Sequence, residues 1–371
     1  MVQPLLGILV LDFSTLLPGP LTTLLLAEAG ARVIKIERPG RGDEMRSYEP
    51  KFGSSSVNFA LLNRGKESLE LDLKGQDAMQ RLRPLITDAD VLVEQFRPGA
   101  MDRLGLGYRA LSEINPRLIY CSISGWGQRG SRAATAGHDL NFVAESGILA
   151  LTRAADGAPA LPAVLSADIA GGAYPAMMNI LLALEQRRAS GLGMHLDIAM
   201  YDNLFTLAYW AWGSGFAADA WPQDGGELLT GGSPRYQIYR TADDGYIAAA
   251  PLEEKFWDNF CELIGLEPWL RKRDAPPREV IAEVARLIRL RSAAQWGELL
   301  KSRDTCCSVV ADFRTAVAGL EQMGRGLPHP RLRSGEREIP ALPVPLAADF
   351  RSGQVKGYPA LGGGDDVGMT P

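Results

Sequence analysis

GILVLDFSTLLPGPLTTLLLAEAGARVIKIE, residues 7–37, decides the fold. Two β-rich runs, GILVLDF (7–13) and RVIKIE (32–37), flank a leucine-rich stretch. Three more runs follow: ESLELDL (67–73), DVLVEQF (90–96) and RLIYCSIS (117–124). Between them, KGQDAMQRLRPLITDA (74–89) spaces its apolar residues at helical period. Repeated strand, helix, strand order predicts a large doubly wound, Rossmann-like α/β domain with a parallel sheet. Its ligands would bind beyond the carboxyl ends of the strands. The turn after the first run is STLLPGP (14–20) and not a glycine-rich loop. Pro18 and Pro20 remove backbone donors where dinucleotide phosphates need them, which argues against a nicotinamide oxidoreductase.

After Gly137 the pattern reads as helical to about residue 190. A short strand, MHLDIAM (194–200), and an aromatic-rich helix, YDNLFTLAYWAWGSGF (201–216), follow, with the aromatics expected in the core or at a subunit contact. WPQDGGELLTGGSP (221–234) has the Gly and Pro content of a linker. The expected organisation is a large domain over 1–220, a linker over 221–235, a small α+β domain over 236–325, and a segment over 326–371 returning to the large domain. In the small domain, Asp244-Gly245 sits between two alternating runs and reads as a hairpin turn. Helical patterns follow at 254–266, 278–291 and 292–302, while the tail lacks periodicity.

The 371 residues are 46% hydrophobic and 22% charged, an ordinary globular balance. A net charge of -5 argues against a nucleic-acid binder, which needs a basic face to displace counterions. Cys121, Cys261, Cys306 and Cys307 have no C-x-x-C spacing and read as reduced thiols in a cytoplasmic protein. His138, His195 and His329 lie far apart, so no metal site is expected. Asp12 and Glu28 interrupt the leucine-rich stretch, and no membrane span or leader is expected.

Several stretches, taken together in order, resemble the family III CoA-transferases (the CaiB/BaiF type), and within them the α-methylacyl-CoA racemases. They are LPGPLTTLLLAEAGARVIKIERPGRGD (17–43), LNRGKESLELDLK (62–74), ADVLVEQFRPGAMDRLGLGY (89–108), NPRLIYCSISGWGQRG (115–130), AGHDLNFVAESG (136–147), LSADIAGGAYPAMMNILLAL (165–184) and GGSPRYQIYRTADDGYIAAAPLEEKFW (231–257). The resemblance implies a homodimer of interlocked rings. Active sites would lie between the large domain of one copy and the small domain of the other. It implies an acyl-CoA substrate, with coenzyme A as part of that substrate and no separate cofactor. Arg38, Leu71, Asp72, Leu73, Lys74, Gln95, Phe96, Arg97, Pro98, Gly99, Arg103, Gly137, Asp139 and Asn141 would contact the CoA. Arginine suits the task because its fork makes charge-assisted hydrogen bonds to phosphate oxygens. The same arginines could equally be solvated surface charge.

The resemblance also gives roles to Asp168, His138 and Glu253. Asp168, at the start of DIAGGA, matches the catalytic aspartate shared by transferases and racemases; by itself it could be only a helix N-cap. Inverting a carbon needs a base on one face and an acid on the other, so His138 would be the second group, with Glu253 as its carboxylate partner. Asp139 could take that partner role instead. Taken alone, His138 could be a satisfied core histidine, and Glu253 and Glu254 the acidic first turn of a helix. Backbone amides near Asp168 are expected to hold the acyl carbonyl oxygen. Racemases of this family tend to carry GDFGGG where this chain has ADIAGG (167–172). The rival expectation is a CoA-transferase using Asp168 as a covalent nucleophile. The four-glycine lid of formyl-CoA transferases has no counterpart between 235 and 325.

Overall fold

The computed structural model describes residues 3–154, 157–222, 225–322 and 331–363. They form two compact units. Among the described residues, the first comprises 3–146, 163–207 and 331–363, and the second 147–154, 157–162, 208–222 and 225–322.

The first unit is built on six strands: β1 (Leu9–Asp12), β2 (Arg32–Glu37), β3 (Glu67–Glu70), β4 (Val91–Glu94), β5 (Ile119–Ser124) and β6 (His195–Ala199). Their order is β3-β2-β1-β4-β5-β6, and every pairing is parallel. The order reverses between β1 and β4, which opens a crevice at their carboxyl ends. The helices α1 (Pro18–Glu28), α2 (Ala78–Asp88) and α3 (Tyr108–Ile114) belong to this unit. α1 starts on Pro18, where a missing N–H costs nothing, and is buried along its whole length. One core joins Leu11, Ile34 and Leu92 of the sheet to Leu82, Ile86 and Leu111 of α2 and α3. Each such fully buried side chain contributes about 2 kcal/mol.

Four more helices follow in chain order: α4 (Asp139–Glu145), α5 (Tyr174–Ser190), α6 (Met200–Leu204) and α7 (Tyr209–Ala218). The continuous helical reading from 137 to 190 is corrected here. A 3-10 turn at Ile148–Leu151 and a bridge between Arg153 and Pro159 interrupt it, in a segment that carries Pro159 and Pro162. The single aromatic helix over 201–216 is likewise two helices joined by a 3-10 turn, Phe205–Ala208. Its aromatics are not core residues of the chain: Tyr209, Trp212 and Phe216 are more than half exposed.

The stretch Ala167–Ser190 has the length and apolarity of a membrane span, but 56% of its most apolar window is buried. It packs against β5, β6 and α1.

In the second unit, β7 (Gln237–Arg240), β8 (Tyr246–Ala249) and β9 (Cys307–Val309) make an antiparallel sheet with β8 central. Asp244 takes a left-handed φ of 61° in the predicted hairpin turn. Helices α8 (Glu254–Ile264), α9 (Pro277–Ile288) and α10 (Ala293–Leu300) bury Trp257, Phe260, Val284, Ile288 and Trp296 against it. The large domain expected over 1–220 therefore ends earlier, because 147–162 and α7 group with the second unit.

The tail has more order than its aperiodic sequence predicts: β10 (Arg331–Ser334), β11 (Arg337–Pro340) and β12 (Lys356–Gly357) form a sheet of the first unit. Gly65 N donates to Gly357 O at 2.8 Å, and Tyr358 hydroxyl to Phe52 O at 2.6 Å.

Candidate active site

Two cavities of the first unit lie at the carboxyl ends of its strands, one beyond β1, β2 and β3 and the other beyond β4 and β5. One, of about 520 Å³, is lined by Phe13, Ser14, Arg38, Leu71, Asp72, Leu73, Lys74 and Phe96 among others. The other, of about 410 Å³, is lined by Gln95, Phe96, Arg97, Pro98, Gly137, His138 and Asn141 with their neighbours. Phe96 faces both. Of the residues expected to meet CoA, Gly99, Arg103 and Asp139 line neither cavity. Gly99 adopts φ 77° where the 95–99 turn closes, with Ala100 N donating to Arg97 O. Gln95 Oε1 accepts from Gly19 N at 3.0 Å, tying this turn to the start of α1.

Beneath the larger cavity lies a set of buried charges that sequence reasoning missed. Lys35 Nζ sits 3.0 Å from Asp43 Oδ2 and donates to Ser14 O at 2.7 Å. Lys66 Nζ lies 3.1 Å from Asp12 Oδ2 and also donates to Thr23 Oγ1 and Asn63 Oδ1. Glu37 accepts from Arg46 and Ser68. The signal was in RVIKIE: a buried parallel strand reads as a nearly continuous apolar run, and Lys35 and Glu37 break it.

Asp168 lies in a π-helical turn, Ala167–Ala173, that leads directly into α5. Such turns are rare and gather at functional sites. Its glycines allow close packing: a Cβ on Gly171 would fall 2.5 Å from Met200 O, and Asn203 Nδ2 donates to Gly171 O at 2.7 Å. Asp168 is not an N-cap, since Ser166 precedes the turn in helical conformation.

The carboxylate that organises this turn is Asp139, buried at the start of α4. Its Oδ1 accepts from Ala167 N at 2.6 Å and from Asp168 N at 3.0 Å. Two expectations are thereby corrected. The amides of Ala167 and Asp168 are occupied and cannot hold an acyl oxygen, and Ile169 N donates to Leu165 O. Asp139 serves the Asp168 turn, not the His138 ring.

Burial, and then the charge of Asp139, push the Asp168 carboxyl up to about 6; the nearby His138 opposes them. His138 is exposed at the N-cap of α4, and its backbone N–H donates to Asn141 Oδ1 at 3.0 Å. Glu253 belongs to the second unit, exposed at the N-cap of α8 with no cap hydrogen bond from its side chain. Its neighbour Glu254 is bound by Arg235 and Arg273.

Asp139→Asn keeps an oxygen facing the two amides and removes the charge. The Asp168 pKa is expected to fall from about 6 toward the ordinary carboxylate range, as a ¹³C NMR titration of the Asp168 carboxyl would record.

Comparison with known proteins follows the same outline. The sequence model of CoA-transferase family III matches residues 5–365. The human alpha-methylacyl-CoA racemase is 34% identical over 345 residues, covering 92% of this chain and 85% of that protein. The acetyl-CoA:oxalate CoA-transferase of Acetobacter aceti is 45% identical over 204 residues, 55% of this chain and 52% of that one. The crystal structure of a CAIB/BAIF family protein from Brucella suis superposes with a TM-score of 0.82 at 25% identity, covering 99% of this chain and 98% of that one. A doubly wound sheet with a cavity-lined switch point, an acidic π turn, and a family match from end to end lead to one assignment: the chain belongs to CoA-transferase family III.

Proposed function

We propose that the protein is an α-methylacyl-CoA racemase, moving a proton on and off the α-carbon of a 2-methylacyl-CoA through an enolate. The observation that carries this reading is the half-buried Asp168, with its pKa raised to about 6 beside His138. General acid and base groups work best with pKa values near the operating pH, and a two-base racemase needs two of them. In this reading Asp168 and His138 exchange the proton from opposite faces. Glu253, from the second copy of a homodimer, fixes the His138 tautomer and stabilises its cation. CoA lies along Arg38, the Leu71–Lys74 segment and the Gln95–Gly99 turn, with its phosphates on the arginines. Enolate stabilisation falls to donors other than Ala167 and Asp168, whose amides Asp139 holds.

The identity to the Acetobacter transferase favours a second reading. There Asp168 attacks the thioester carbonyl, the C–S bond breaks, and CoA leaves as thiolate, so that the acyl group stays on Asp168 as a mixed anhydride. One experiment separates the two: incubation with a 2-methylacyl-CoA in deuterated water, and separately with an acyl-CoA plus free carboxylic acids. Deuterium at the α-carbon without CoA exchange is the expected result. CoA appearing on the free acid, with hydroxylamine trapping an enzyme-bound acyl group, would replace the racemase by the transferase.

A further inference from the structure

Glu94 ends β4, directly before the Gln95–Gly99 turn, and is 4% exposed. Its Oε2 accepts from Phe96 N at 2.7 Å. On β5 the register places Ser122 opposite it, where the hydroxyl favours the ionised Glu94 carboxyl. Ser122 Oγ also lies 2.9 Å from His195 Nε2 on β6. The His195 ring stacks on Tyr108, with centroids 5.4 Å apart at 22°, and meets the edge of Tyr120. A buried carboxyl thus stands across the strand from a hydroxyl that is itself bonded to an imidazole with a solvent-facing side.

We propose that Glu94 is a positioning residue for the CoA-binding turn, and that the Glu94–Ser122–His195 chain ties the geometry of that turn to solvent pH. The proposal rests on the reading that CoA uses this turn. The turn's position matters because Phe96 is the side chain shared by both cavities, and Arg97 and Pro98 line the second. An ionised Glu94 holds the Phe96 peptide with a charge-assisted bond.

The chain has two self-consistent protonation patterns. With Glu94 ionised, Ser122 donates to it and accepts from His195 Nε2–H. When solvent adds a proton at His195 Nδ1, Nε2 passes its proton to Ser122, and Ser122 passes its own to Glu94. The balance is one proton gained by the carboxyl, with the imidazole left neutral in its other tautomer.

The surroundings favour titration near neutrality. Burial is the largest influence on Glu94, countered by the Ser122 and Phe96 hydrogen bonds, with Asp102 and Asp197 adding negative charge; together they place it at about 7. Burial also lowers His195 below its usual range, so it is neutral when Glu94 titrates. Tyr120 and Cys121 on β5 are pushed up by burial and stay protonated. Asp12, at the end of β1, is engaged by Lys66.

Calorimetric titration of CoA into wild type, Glu94→Gln and Ser122→Ala between pH 5.5 and 8.5 tests this. Wild type is expected to weaken by about tenfold as pH falls through 7 and then to level off, because the neutral carboxyl holds the Phe96 peptide less firmly than the ionised one. Glu94→Gln should bind about tenfold more weakly at pH 8, with no dependence across the window. Ser122→Ala removes a hydrogen bond to the charged form, so its midpoint should move above 7; this holds the test should Glu94→Gln not fold. If wild type binds CoA and Glu94→Gln binds equally well with the same pH slope, the proposal is overturned. If wild type does not bind CoA at all, the reading of the turn beneath the proposal is what fails.

Discussion

Replacing Asp168 by Asn is expected to slow interconversion of the two epimers, and α-proton exchange in the epimer Asp168 serves, by about 10³-fold while leaving CoA affinity within about twofold. The substitution is nearly isosteric and keeps the two hydrogen bonds from the Ala167 and Asp168 amides, because Asp139 accepts both. The turn should therefore hold its shape. What disappears is the one carboxyl in this turn whose pKa, about 6, lets it both take and return a proton near neutral pH. The pH profile gives the sign. With Asp168 as base, activity requires its ionised form and falls as pH drops through about 6. His138→Gln makes a complementary test. Loss of one of two bases leaves the other face working, so this variant should still exchange deuterium into one epimer of the 2-methylacyl-CoA while failing to interconvert the two. Proton NMR of the α-position for each epimer, with calorimetry of CoA binding, checks both variants. Equal loss of exchange and CoA affinity in Asp168→Asn would make this residue a binding group instead of an acid/base group.

The sheet was legible because parallel strands buried on both faces write themselves as short, largely apolar runs; RVIKIE still marks β2 from end to end although Lys35 and Glu37 interrupt it. The break at residues 147–162 was hidden for the opposite reason. GILAL continues a helical pattern, and only Pro159 and Pro162 signalled that it could not run on. The aromatic stretch 201–216 was ambiguous because a helix apolar on all sides gives no direction to its neighbours. At the site, the positions expected to meet CoA came through resemblance, and eleven of the fourteen line two cavities, but the wiring did not. Nothing in HDLNF says that Asp139 reaches 28 residues onward to cap a π turn, because such a bond depends on how two segments meet in space. Glu94 looked like the end of a strand. Its importance follows from the β4–β5 and β5–β6 registers, which bring Ser122 and His195 to it.

The largest stability effect is expected from Asp12→Leu, a loss of about 3–5 kcal/mol. Asp12 is fully buried at the end of β1 and receives Lys66, Thr23 and Ser14 at once. Burial alone would raise its pKa; Lys35, Lys66 and the two hydroxyls outweigh burial and hold it far below the usual carboxylate range. Leucine would fill the space but leave Lys66 without its carboxylate. Lys35 keeps Asp43 and Glu37, so the cost concentrates on Lys66. Already in the native protein, burial lowers the Lys66 pKa to about 8, with Asp12 the main opposing influence. Without Asp12 it must fall further, and that fixes the pH signature. A lysine with a depressed folded-state pKa holds fewer protons folded than unfolded between that value and about 10.4, so stability rises with pH across the interval. For wild type the rise begins near pH 8; for Asp12→Leu it should begin lower and be visible from neutral pH upward. Urea unfolding at pH 6, 7.5 and 9 measures it. Asp12→Leu should recover part of its lost stability by pH 9, and Asp12→Leu combined with Lys66→Met should recover most of it at every pH. If the double variant is no more stable than the single, the cost comes from the shape of the β1 end and not from the stranded lysine.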